Sequence, residues 1–183
     1  RMTARLQRTM PRRAMPRRAT TPGRRTCSPH AAVSAHNWRL HYEASLDLNA
    51  DEITIDEANE IWAETKANGA AAVAAFATAE AAYLQVQGGC AGLDDRAGSP
   101  TAEQRATIEA CTVRGEALAG LIEAATAVNT QWDEHVQMMA AKATFDPTEY
   151  LHEWHRDVEA APPVMAAYER AVATFEEAPD CTP

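Results

Sequence analysis

Two long stretches of the chain carry inward-facing side chains in steps that alternate three and four residues. Such spacing puts one stripe on one side of an α-helix, and the stripe must be buried against other helices. The first seam comprises Ile108, Cys111, Gly115, Leu118, Ile122, Ala125, Asn129, Trp132, Val136 and Met139. The second comprises Leu151, Trp154, Val158, Ala161, Met165, Tyr168, Val172 and Phe175. Runs typical of β-strands are absent. The sequence therefore predicts an all-α, elongated antiparallel four-helix bundle.

The region before the first seam contains signals for two helices. We expect the first helix over residues 31–48. The second begins near Thr54, because Thr54 and Glu57 have the spacing of a capping box, and Gly88-Gly89 ends it. Gly69 lies inside this helix, where glycine costs about 1 kcal/mol relative to alanine. Its presence predicts a close contact with a neighbouring helix.

The two seams lie on two further helices. Ser99-Pro100 predicts an N-cap followed by the first helical turn, and the third helix then extends to about residue 143. Asp146-Pro147 is a second start signal, and the fourth helix extends to about residue 178. Pro162-Pro163 interrupts it without changing the heptad phase. We therefore expect a kink there, or a break with a nearly collinear restart.

The charge of the chain is divided between a short basic segment and an acidic body. Nine arginines give residues 1–25 a charge of +9, whereas residues 26–183 hold 8 basic and 26 acidic residues, a net charge of −18. Residues 1–30 are rich in Arg, Pro and Thr, and they lack the apolar surface that would offset the entropy of ordering. We expect a disordered basic tail over 1–30 and a helical-bundle domain over 31–183.

Three interpretations of the tail are open. It could be an arm over residues 1–25 that binds nucleic acid or another polyanion, or it could be a targeting sequence. It could also be sequence translated upstream of, or out of frame with, the true start, which would leave an export signal outside this chain. An acidic body repels nucleic acid, so only the arm could bind it. No apolar run reaches the roughly 20 residues that span a bilayer.

The four cysteines favour disulfides over a metal or redox motif. None are spaced C-x-x-C, which argues against a zinc knuckle or a thioredoxin-like site. An even number near predicted helix ends favours an extracytoplasmic or secreted location, with reduced thiols in a cytosolic protein as the alternative. Among the three pairings we prefer Cys90 with Cys111, because the chain folds back between them. Cys27 would then pair with Cys181.

One group of side chains could hold a metal. Glu149, His152 and His155 project from one side of the fourth helix. His135 flanks the seam of the third helix and is followed by two methionines. Imidazole, carboxylate and thioether groups on facing helices are the ligands of transition-metal and haem sites in bundles. The structural alternative is that these histidines cover the edge of the core and hydrogen-bond to a nearby carboxylate.

Other polar and aromatic residues favour structural roles. Asn129 lies in the first seam, where a buried Asn sets helix register or oligomeric state; a ligand contact is the alternative. His36 and His41 point about 140° apart on a helix, and His41 reaches the fourth helix only if that helix packs against the first. Four tryptophans, one per helix, predict core aromatic layers or a pocket lining. They are Trp38, Trp62, Trp132 and Trp154.

The sequence contains no nucleophile elbow and no phosphate-binding glycine loop. We therefore expect a non-enzymatic, extracytoplasmic helical-bundle protein that acts by binding a protein partner, and we assign it no cofactor. The alternative function is binding of a transition metal or haem through His, Glu and Met side chains of the third and fourth helices. A third hypothesis is polyanion binding by the arginine arm.

Overall fold

The computed structural model describes residues 29–86 and 99–181. In these ranges the chain forms α1 (Pro29–Asn49), α2 (Ile55–Val86), α3 (Ala102–Ala140) and α4 (Pro147–Glu177), with a 3-10 turn at Lys142–Thr144. No β-strand occurs in the described ranges, and the predicted all-α helical bundle is confirmed. Residues 1–28 lie outside them, so the hypotheses on the tail stay predictions.

Local side-chain chemistry fixes two of the helix starts as expected. The backbone N–H of Thr54 donates to Glu57 Oε2 at 2.8 Å, and the N–H of Glu57 donates to Thr54 Oγ1 at 3.2 Å. This is the capping box that the sequence predicts. At α4, the Asp146 carboxylate accepts from the backbone N–H groups of Thr148 and Glu149. Both caps satisfy amide hydrogens that have no partner inside the helix.

The start of α3 and the middle of α4 differ from the expectation. Thr101, not Ser99, is the N-cap of α3, and it forms a reciprocal capping box with Gln104. That box satisfies two backbone donors, which explains why the helix begins there. α4 continues through Pro162-Pro163 as one helix, so the predicted alternative of a break is wrong. In the described part of the chain, no helix has the length and apolar character needed to cross a membrane.

The core lies along the second half of α3. From Ile122 to Met139 every member of the first seam is buried or half-buried. Before it, Ile108 and Leu118 are only half-buried, and a Cβ added at Gly115 would meet nothing within 4 Å. The second seam is inward-facing except at its start, because Leu151 is 56% exposed. Half of α3 therefore belongs to the core and half extends past it.

Gly69 on α2 lies directly against α3. It is the one described glycine at which an added Cβ would meet other atoms within 4 Å. A Cβ there would lie 2.9 Å from Trp132 Cζ2 and 2.9 Å from Val136 Cγ2. Real Cβ atoms do not come this near to other side chains. The close helix contact predicted at Gly69 is confirmed.

The disulfide pairing expected from the sequence is wrong. Cys111 pairs with Cys181, whose Cα lies 4.6 Å away, so Cys111 cannot pair with Cys90 and Cys181 cannot pair with Cys27. The reason is the path of the C-terminus: the segment after α4 lies along the first half of α3. There Arg114 donates to the carbonyl of Ala178 at 3.1 Å. Cys27 and Cys90 lie outside the described residues.

Candidate functional site

The four residues predicted to bind a metal do not assemble into one site. Glu149, His152 and His155 are exposed on α4, whereas His135 is fully buried on α3. Within residues 29–86 and 99–181, no group of three or more His, Cys, Asp or Glu side chains could hold a metal ion. A haem that used His135 together with His152 or His155 would need one buried and one exposed ring at the same site.

His135 instead belongs to a cluster of six aromatic rings, of which four are buried and two, Trp62 and Trp154, are half-buried. His41 lies 5.0 Å from it between ring centroids, and each helix contributes one tryptophan around the pair. We call these six residues the histidine–tryptophan cluster: His41, His135, Trp38, Trp62, Trp132 and Trp154. Three of its tryptophans have centroids between 4.7 and 6.1 Å from both histidines. They are Trp38, Trp132 and Trp154.

A carboxylate orients the His135 ring. Its Nδ1 lies 3.1 Å from Asp157 Oδ2, one turn beyond Trp154 on α4. Because a carboxylate accepts, Nδ1–H is the donor, so Nε2 carries the free lone pair whenever the ring is neutral. Burial pushes the pKa of Asp157 upward, but its hydrogen bonds and electrostatic interactions with His135 and Arg156 outweigh burial. The pKa of Asp157 is therefore lowered.

A hydroxyl group orients the His41 ring. His41 Nδ1 lies 2.7 Å from Thr65 Oγ1, and Thr65 donates its hydroxyl proton to the carbonyl of Ile61 at 2.8 Å. When Thr65 gives its one proton to this carbonyl, Oγ1 accepts from His41 Nδ1–H. In this tautomer the lone pair of the His41 imidazole is also on Nε2.

Three polar atoms of the cluster have no hydrogen-bond partner among the described residues. They are His41 Nε2, His135 Nε2 and Trp132 Nε1. All three residues are 0% exposed. Native interiors leave few polar groups in this state, and each such group calls for an explanation.

The environment keeps His41 neutral. Burial is the largest cause, electrostatic interactions with His135 and Lys66 add to it, and together they lower the pKa of His41 from 6.5 to about 3. Its Nε2 lone pair is thus available at any ordinary pH. A porphyrin does not fit between the two histidines, because their rings are 5.0 Å apart and packed against Trp38, Trp132 and Trp154.

No protein-family model, curated protein or solved structure matches this chain. The function therefore has to be argued from its own side chains.

The sequence contains a signal for this cluster that our interpretation missed. Trp38 and His41 are spaced Trp-x-x-His on α1, and Trp132 and His135 have the same spacing on α3. Residues three apart lie on the same helix face, so each pair presents both rings to the core. The predicted set included His135 but omitted His41, whose position depends on how α1 packs.

The buried Asn129 has a structural partner. Ser34 on α1 donates its hydroxyl to Asn129 Oδ1 at 2.6 Å. This hydrogen bond joins α1 to α3 at Asn129, which lies in the first seam. It can be made in only one register of the two helices, which agrees with the interpretation of Asn129 as a register residue.

Proposed function

We propose that this chain is a non-enzymatic helical-bundle protein that acts by binding a protein partner outside the cytoplasm. The supporting observation is the first half of α3, which extends past the core with its heptad seam only partly covered by described residues. A groove of about 470 Å³ lies on this half. It is lined by Pro100, Arg105, Ile108, Glu109, Thr112 and Val113.

The chemistry of the groove favours a helical segment of another protein. Ile108 is half-buried and Val113 is 43% exposed, so the groove offers an apolar floor. Amphipathic helices bind such grooves through apolar residues spaced three or four apart. The body carries a net charge of −18 over residues 26–183, which favours a basic partner by electrostatic steering.

The Cys111–Cys181 disulfide supports the extracytoplasmic location. Disulfides form and persist in oxidising compartments and are rare in the cytosol. This bond ties the C-terminal segment to the same half of α3 that carries the groove. We therefore propose that the disulfide holds the surface around the groove in the form that binds the partner.

Selection from a phage-displayed library of random helical peptides tests the proposal. We expect selected peptides to combine Lys or Arg with apolar residues at helical spacing. Val113→Glu should weaken their binding about tenfold or more, as truncation of an interface anchor does. Leu151→Glu is the matched control, because it adds the same charge at an apolar residue that is 56% exposed on α4. Equal binding by Val113→Glu and the unmodified chain, or selection of no peptide, would refute the proposal.

A further inference from the structure

We propose that His41 and His135 form a buried binding site for a monovalent d10 metal ion, Cu⁺ or its analogue Ag⁺. Neutral imidazole nitrogen is a ligand for copper. Two such nitrogens, one from α1 and one from α3, are unpartnered in the same cluster. Their rings lie 5.0 Å apart between centroids. This site does not depend on the proposed partner groove.

The hydrogen bonds behind both rings are those expected of metal ligands. A ligating histidine donates its other ring N–H to a carboxylate or another acceptor, which fixes the tautomer and the ring orientation. Nδ1 of His135 faces the acceptor Asp157 at 3.1 Å, and Nδ1 of His41 lies 2.7 Å from Thr65 Oγ1, which accepts in the metal-binding tautomer. Asp157 and Thr65 are therefore positioning residues, and they direct an Nε2 lone pair into the core from each ring.

The surrounding residues select a monovalent ion with few ligands. Among the described residues, no third His, Cys, Asp or Glu joins the pair in a metal-binding group, so a tetrahedral all-protein zinc site is not available. Asp157, which also pairs with Arg156 at the surface, contacts the histidine pair through His135. A divalent ion would therefore leave more uncompensated charge in the interior than a monovalent ion, which is costly. Low charge and low coordination number fit Cu⁺ and Ag⁺.

The tryptophans add to the same preference. Trp38, Trp132 and Trp154 surround the histidine pair with centroids at 4.7 to 6.1 Å from both imidazoles. Aromatic faces attract cations that lie within about 6 Å of the ring centroid, and the attraction grows when the cation is desolvated. An ion held by the imidazoles would have these three rings as its neighbours. The unpartnered Nε1–H of Trp132 is a donor that can hold a water molecule or an anion on the ion. The acidic body raises the local concentration of cations.

Silver binding to the full chain tests this site, because Ag⁺, unlike Cu⁺, needs no reductant that would also reduce the disulfide. Cys27 and Cys90 are first replaced by serine, so that no thiol competes for the ion. We expect one Ag⁺ retained per chain after gel filtration, with quenching of tryptophan fluorescence. His41→Ala and His135→Ala should each weaken binding by more than about 100-fold, beyond the effect typical of positioning residues. His152→Ala and His155→Ala, at exposed histidines, are the matched controls.

Two further measurements keep the test independent of any folding defect. In the protein with all its histidines, imidazole ¹⁵N resonances of two histidines only should shift with Ag⁺, at Nε2. Asp157→Asn retains both rings and should weaken binding about 10- to 100-fold. If the folded chain binds no silver, the two histidines do not form a metal site and the proposal is refuted. Retention of silver by both alanine variants, or ¹⁵N shifts at His152 and His155, would likewise overturn the proposal.

Discussion

Replacing Gly69 by alanine tests the packing between α2 and α3. Alanine is favoured over glycine inside a helix by about 1 kcal/mol. At this position, however, the new Cβ would lie 2.9 Å from both Trp132 and Val136. Overpacking of this kind costs about 1–3 kcal/mol. We therefore expect Gly69→Ala to lower the free energy of unfolding by up to about 2 kcal/mol despite its better helix propensity.

Gly115 and Gly120 supply the matched controls. Both lie inside α3, and a Cβ added at either would meet nothing within 4 Å. Alanine at these positions should raise the free energy of unfolding by about 0.5–1 kcal/mol. The quantity to measure, by urea denaturation followed by circular dichroism, is the difference between Gly69→Ala and Gly115→Ala, which we expect at about 1–3 kcal/mol. If Gly69→Ala stabilises the protein as much as Gly115→Ala does, the close approach of the helices is refuted.

Three further predictions concern other buried groups. The unfolded chain protonates His41 near its ordinary pKa of 6.5, whereas the folded chain resists protonation down to about 3. The free energy of unfolding should therefore be highest above the unfolded pKa and fall by about 2 kcal/mol between pH 7.5 and pH 5. Denaturation of His41→Asn over the same pH range should show a smaller fall in the free energy of unfolding. The Cys111–Cys181 bond spans 70 residues, so Cys111→Ser should cost about 4 kcal/mol, and a chain with the other two cysteines removed should show no reactive thiol before reduction. A double-mutant cycle between Ser34 and Asn129 should give a coupling of about 1 kcal/mol, and additive effects would contradict the hydrogen bond.

The helix starts at Thr54 and Asp146 could be predicted because they depend on residues that are close in sequence. The box at Thr54 and the cap at Asp146 are complete within four residues of sequence. The start of α3 was misplaced because two cap signals, Ser99 and Thr101, lie two residues apart. Only Thr101 has a glutamine at the position that completes a capping box.

Burial along α3 could not be predicted from its heptad pattern alone. The seam is equally regular in both halves, but α1 has 21 residues and α3 has 39. α1 therefore covers only part of α3, and the covered part includes Asn129 and Trp132. The pairing of Cys111 with Cys181 has the same origin, since it depends on where the chain returns after α4 and not on the spacing between cysteines.

The histidine pair is the part of the interior that a purely structural account leaves unexplained. Each buried polar atom without a partner costs about 1–3 kcal/mol, and phenylalanine in place of His41 or His135 would fill a similar volume without that cost. Local departures from good packing chemistry are expected where a protein has a functional site. A ligand that binds only the folded chain recovers the cost as added stability. The same two Nε2 atoms whose lack of a hydrogen-bond partner destabilises the bundle are therefore the atoms through which a bound ion would stabilise it.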